Sequence, residues 1–156
     1  MTKNLYRPGV GIILINANRH IFMGRRIGMT IGGWQMPQGG IDGQEDIKSA
    51  ALRELYEEAG INKVEILEVS KRWLSYDLPR QMSANSWKGK YRGQRQKWVA
   101  MSFTGLDSDI NLYASDHPEF DAWEWMLPAR CLQEIISFKK SLYESVFAEF
   151  YGWLSP

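Results

Sequence analysis

Glu57 and Glu58 follow Glu54 by three and four residues inside the segment 39–61, GGIDGQEDIKSAALRELYEEAGI. On a helix of 3.6 residues per turn the three carboxylates fan over about 100° of the surface, so they share one patch. An all-oxygen donor set suits a hard cation, Mg²⁺ or Mn²⁺, and hard cations in such places usually hold phosphates. Without a cation, like charges at this spacing cost roughly a few tenths of a kcal/mol per pair on an exposed helix and more in a cleft. The competing reading is a surface helix whose acids are merely solvated. The neighbouring residues argue for a site. Gly39, Gly40 and Gly43 permit tight turns before the helix and let a carbonyl approach a metal, Arg53 can lock a glutamate bidentately with Glu45 as a candidate partner, and Gly60 stops the helix.

A helix that offers acids to a cleft must seat its other side in a core, and the arc of Leu52, Leu55, Tyr56 and Ala59 is expected to do so. Residues 10–15 and 21–25 read as strands around the turn Asn16-Ala17-Asn18, an early hairpin. Residues 34–36 form a short extended piece, 64–76 one long strand or two, 98–104 another, and 123–126 the last. From Pro128 onward Leu132, Ile135, Ile136, Leu142, Val146, Phe147 and Phe150 recur at helical spacing, predicting an amphipathic helix that closes the fold. Lys139 stands in that apolar stripe, where a lysine either snorkels or serves a pocket. Alternation of strands and helices supports an α/β class.

The chain has 156 residues, the size of one domain, and is expected to form a single core. It is 44% apolar and 24% charged, and its net charge of +1 gives no global attraction to polyanions, so any such preference must be local. Residues 80–97 supply six basic residues and no acid, with Trp87 and Tyr91 interleaved; such a stretch suits an RNA backbone or a solvated basic loop. The single cysteine, Cys131, excludes an internal disulfide and a cysteine zinc cluster, and its apolar helical setting speaks against a nucleophile. The polar start MTKNLYRPG lacks a secretion signal and no apolar run is long enough to span a bilayer, so no membrane partner and a cytoplasmic location are expected.

The segment 39–61 resembles, position by position, the signature of the Nudix hydrolases, through Gly39, Glu45, Arg53, Glu54, Leu55, Glu57, Glu58, Gly60 and Ile61. The resemblance implies a single domain over 1–156, an α/β/α sandwich with a mixed β-sheet, and a loop-helix-loop that holds a divalent metal, Mg²⁺ or Mn²⁺. It implies catalytic roles for Glu54, Glu57 and Arg53 and metal ligation by Gly39, Glu54, Glu57, Glu58 and Glu119. Outside that segment the chain is similar to one branch, the bacterial RNA pyrophosphohydrolases, in Tyr6-Arg7-Pro8-Gly9-Val10-Gly11-Ile12, Trp34-Gln35-Met36-Pro37-Gln38-Gly39-Gly40, Tyr76 with Leu78-Pro79, Gly93-Gln94-Arg95-Gln96-Lys97-Trp98, Pro118-Glu119-Phe120-Asp121 with Trp123, and Ser137-Phe138-Lys139. That likeness implies removal of pyrophosphate from RNA 5′-triphosphates, promoting mRNA decay, with substrate contacts from Arg7, Arg26, Tyr76, Ile136, Phe138 and Lys139. Arg25 is the weaker choice beside Arg26, since strand side chains alternate. Dinucleoside polyphosphates are the alternative substrate, a non-catalytic nucleotide sensor and a sanitiser of oxidised nucleotides are rival readings, and no DNA partner is expected. One departure stands out: relatives carry Pro-Gly in the loop before the glutamate, where this chain has Gly43-Gln44, so the turn is expected to keep its glycine one position displaced.

Overall fold

The computed structural model of the protein describes residues 5–29, 33–83 and 86–155; the first four residues of the polar start lie outside them. In chain order the elements are β1 (Tyr6–Ile15), β2 (Ile21–Arg26), β3 (Trp34–Gln35), β4 (Gln38–Gly40), α1 (Ile47–Ala59), β5 (Val64–Val69), β6 (Leu74–Asp77), α2 (Arg80–Ser83), β7 (Gly93–Phe103), β8 (Phe120–Met126), α3 (Pro128–Glu134), α4 (Lys140–Glu149) and α5 (Tyr151–Leu154). The strands join one mixed sheet of order β3-β2-β1-β7-β5, with β4 on β1, β6 on β7 and β8 on β2. At its centre β1 and β7 run parallel from Tyr6↔Gly93 to Ile15↔Ser102, and the chain between them supplies the crossover that a parallel pair requires.

Period-two alternation gives the sheet two apolar faces. Val10, Ile12 and Leu14 of β1 join Val99 and Met101 of β7 beneath Ala50, Ala51, Leu55 and Ala59 of α1. Ile13 and Ile15 join Trp98 and Ala100 on the other face, beneath Tyr143, Val146 and Phe147 of α4. The result is the helix–sheet–helix sandwich expected from the sequence. The early hairpin forms, but its strands pair only at Ile15↔Ile21 and then part. β4 takes the place beside β1 in the opened region, through Gly9↔Gly40, Val10↔Gly39 and Gly11↔Gln38. That parting of the sheet creates the cleft.

Three expectations need correction. Leu52 and Tyr56 of α1 are exposed, and the helix instead seats Ala50 and Ala51 with Leu55 and Ala59, because small side chains let it lie close on the sheet. The closing helix is not continuous: Ile135 and Ile136 adopt extended backbone between α3 and a 3₁₀ turn over Ser137–Lys139 that leads into α4. An unbroken helix would have forced Lys139 into the apolar stripe; the break turns it instead into a polar pocket. The strand expected at 98–104 begins five residues earlier, because Gln94 and Gln96 point inward at positions where hydrophobic alternation looks for apolar residues. The segment 64–76 resolves as two strands, β5 and β6.

Candidate active site

α1 is fixed at both ends by local chemistry. Asp46 caps its start, its carboxylate accepting from the Ser49 N–H at 2.7 Å, and Gly60 ends it with φ 66°, a conformation that favours glycine. Between these caps the helix aims Glu54 and Glu58 at β4. The Glu54 carboxylate occupies the space beside Gly39 where a side chain would begin, so that a Cβ at position 39 would overlap it. Glu58 is buried and accepts from the Gln38 backbone N–H at 3.0 Å. The loop departure is tolerated: Gly43 sits at φ 53° in the turn.

Arg53 organises the acids. Its Nε and Nη2 grip Glu45 bidentately at 2.8 and 2.9 Å, Nη1 reaches Glu54 at 2.8 Å and Glu57 at 3.2 Å, and Nη2 also donates to the Gly40 carbonyl at 3.0 Å. Hydrogen bonds from Arg53 hold the Glu45 carboxyl down to about 2, while the same pair raises the guanidinium further above its usual range. Glu54 behaves in the opposite way. Burial pushes it up to about 7 despite Arg53, and the charges of Glu57 and Glu119 add to the rise. Burial also raises Glu58 well above the usual carboxylate range, with the charges of Glu119 and Glu54 contributing.

Glu54 and Glu58 border a cavity of about 490 Å³ that cations and aromatic rings also line. Arg7, Arg26, Tyr76, Phe138 and Lys139 all line it, together with Gly39, Glu54, Glu58 and Glu119. Glu57 lies outside that cavity, on a second one of about 290 Å³ that shares Glu54, Glu58 and Glu119 and adds Ser115, Asp116 and His117. Ile136 borders neither cavity and packs on the apolar core beneath α4. Arg25 is turned away and pairs with Asp121. Lys139 does not snorkel: it is 5% exposed, its Nζ lies 5.1 Å from the Tyr76 ring centre, and burial aided by the Arg26 charge brings its amine down to about 8. Cys131 is buried and its thiol is pushed up to about 12, which removes it as a nucleophile at neutral pH.

The basic stretch at 80–97 is divided in its roles. Lys97 Nζ donates to the Ser70 and Lys71 carbonyls, Arg92 pairs with Asp77, and Arg95 covers the Trp73 ring, so these three are committed to the fold. Trp87 does reach the cleft wall, where the Arg7 guanidinium lies 5.4 Å from its ring centre. The sequence reading overlooked Gln35, Gln38 and Gln94 as wall residues. Their signal was present as amides at inward strand positions; Gln96 beneath them donates to both Gln38 and Gln94.

Among the described residues no three acid, histidine or cysteine side chains already stand as a closed metal cage. Glu54 and Glu57 point at Arg53, and Glu58 points at Gln38. The donor set nevertheless fits a hard divalent cation. It is all oxygen, and the half-buried Glu54 and buried Glu58 carboxylates carry a desolvation and repulsion penalty that such a cation relieves.

The NUDIX domain family profile matches residues 5–146. The chain is similar to the RNA pyrophosphohydrolase of Dinoroseobacter shibae, 47% identical with 96% of this chain and 94% of that one covered. The RNA pyrophosphohydrolase of Rhodospirillum rubrum is 49% identical, with 97% and 90% covered. Among solved structures, the dihydroneopterin triphosphate pyrophosphohydrolase of E. coli superposes with a TM-score of 0.70 at 16% identity, covering 92% of this chain and 97% of its own. A C. elegans Ap4A hydrolase gives 0.64 at 19% identity, with 92% and 98% covered. The likeness to these two structures is one of fold. No helix of the described residues is long and apolar enough to cross a membrane.

Proposed function

The chain belongs to the Nudix family, and from that premise we propose that it hydrolyses the 5′-triphosphate of RNA, releasing pyrophosphate and leaving a 5′-monophosphate. The observation that carries this reading is the mixed lining of one cleft, which brings the carboxylates of Glu54, Glu58 and Glu119 together with the cations Arg7, Arg26 and Lys139 and the Tyr76 and Phe138 rings. A polyphosphate bearing a base, held through a divalent ion, fits that combination, and the RNA pyrophosphohydrolases that share nearly half its residues support the choice of RNA. The protein is read as a single domain acting in the cytoplasm and promoting mRNA decay.

Glu54, Glu57, Glu58, Glu119 and the Gly39 carbonyl would hold the divalent ion, Mg²⁺ or Mn²⁺. When bound, that ion supplies charge neutralisation for the triphosphate and makes a nearby water more acidic. Glu54, which borders the cleft against Gly39, would orient the attacking water and take its proton. Water adds to a phosphorus of the triphosphate as the bond to the leaving pyrophosphate breaks. Arg53 does not react; it fixes Glu45 and Glu54 relative to the Gly40 carbonyl. Arg7 and Lys139 would offset phosphate charge, while Arg26 and Phe138 offer flat faces to a base.

The test is a comparison of kcat/KM for 5′-triphosphorylated RNA and for diadenosine tetraphosphate in Mg²⁺. A clear preference for RNA, falling more steeply with salt than the dinucleotide rate does, is expected. A reversed preference would assign the cleft to dinucleoside polyphosphates.

A further inference from the structure

Glu119 and Arg26 owe their shared cleft to one irregularity in the sheet. β8 runs against β2 in steady antiparallel register from Ile21↔Met126 to Arg25↔Ala122, then jumps to Arg26↔Phe120 and leaves Asp121 as an extra residue. This is a β-bulge. On an unbroken strand Phe120 would face away from Trp123 and Trp125, yet all three belong to the apolar cluster beneath α1. Room for Phe120 exists because position 24 is glycine; a Cβ there would stand 2.5 Å from the Phe120 Cγ. The extra residue therefore reverses the facing of everything before it, and it turns Glu119 toward the cleft. The Glu119 carbonyl then accepts from the Ile27 N–H at 3.0 Å, fastening this loop to the strand end that carries Arg26.

We propose that Arg25 and Asp121 are a positioning pair that holds this bulge and thereby sets Glu119 and Arg26 as one unit. Arg25 Nε donates to Asp121 Oδ1 at 2.9 Å. Its guanidinium also lies 6.0 Å from the ring centre of Trp34, its pairing partner on β3. Arg25 thus ties β3 to the bulged residue of β8, while neither member of the pair lines the cleft. Their side chains are 37% and 34% exposed, so the pair contributes little to global stability and acts on the shape of the bulge. The functional part of the inference rests on the metal-dependent hydrolase reading given above.

The experiment uses the full chain and three variants: Asp121→Asn, Arg25→Gln, and the swap Arg25→Asp with Asp121→Arg. Mn²⁺ binding without substrate is followed by electron paramagnetic resonance, kcat and KM are measured on triphosphorylated RNA, and Tm is recorded. Either single variant is expected to weaken Mn²⁺ binding roughly tenfold and to raise KM by a similar factor, with kcat moving less and Tm nearly unchanged. The swap is expected to recover much of the lost Mn²⁺ affinity. Wild-type Mn²⁺ affinity in Asp121→Asn, or a loss that follows unfolding and is not recovered by the swap, overturns the proposal. A wild-type protein inert on RNA whose Mn²⁺ affinity still responds to the variants would instead sink the substrate reading and leave the positioning pair standing.

Discussion

Gly39→Ala isolates the contribution of the Glu54 position. The backbone at 39 lies outside the left-handed region, so alanine is accepted there without conformational strain and slightly restricts the unfolded chain. The added Cβ would overlap Oε2 and Cδ of Glu54 and stand 2.5 Å from Oε1, whereas real Cβ atoms keep 3.0 Å or more. Because the obstacle is the end of a flexible side chain, the fold survives and the carboxylate retreats by more than about 1 Å, taking its Arg53 contact with it. Displacements of that size cost on the order of 100-fold in rate, or about 2.7 kcal/mol of barrier. We therefore expect kcat on triphosphorylated RNA in saturating Mg²⁺ to fall about 100-fold while Tm stays within a few degrees. Gly40→Ala provides the contrast, since a Cβ there meets Nη2 of Arg7 at 2.5 Å; it should raise KM with a smaller effect on kcat. A Gly39→Ala enzyme within about threefold of wild-type kcat would refute the reasoning, as would both variants shifting kcat and KM alike.

Glu54 and Glu58 make the metal-free protein sensitive to alkali. A carboxyl raised from 4.5 to about 7 stabilises the fold below its unfolded value and loses that contribution as pH rises through about 7. Tm without divalent ions should therefore fall between pH 5 and 8, and Mg²⁺ should restore more of it at pH 8 than at pH 5; a flat thermal profile contradicts this. Lys139 is depressed from 10.5 to about 8, so holding it charged at pH 7 costs about 3 kcal/mol. Lys139→Met should raise Tm by roughly 5 °C or more and raise KM at least about tenfold, and a variant that loses stability would count against the buried charge. Asp46→Ala removes the cap of α1 and should cost about 1 kcal/mol with kcat little changed, checked by urea unfolding and steady-state rates.

The part of the site written in one continuous segment was legible in the sequence. Glu45, Arg53, Glu54 and Glu58 are brought together by helix pitch and a short loop, both of which act locally. The cationic and aromatic lining comes from β1, β2, β6 and the 3₁₀ turn before α4, so its placement depends on sheet register that no local pattern carries. Hydrophobic spacing failed where chemistry displaced packing. Gln94 and Gln96 concealed the first half of β7, and the spacing of Ile135, Ile136 and Leu142 suggested a continuous helix in whose apolar stripe Lys139 alone was out of place. Leu52 and Tyr56 misled for another reason, since close helix–sheet approach favours alanine over larger apolar residues. Register also explains the bulge at Asp121, which is set by pairing with β2 and by Gly24 far away in sequence.

The most direct measurement of the central claim is the identity of the phosphate released from 5′-triphosphorylated RNA in Mg²⁺, read together with the state of the RNA end. Inorganic pyrophosphate with a 5′-monophosphate on the RNA is expected, lost on chelation and in Glu58→Gln. Stepwise orthophosphate, or turnover that persists in Glu58→Gln and in chelator, would contradict it.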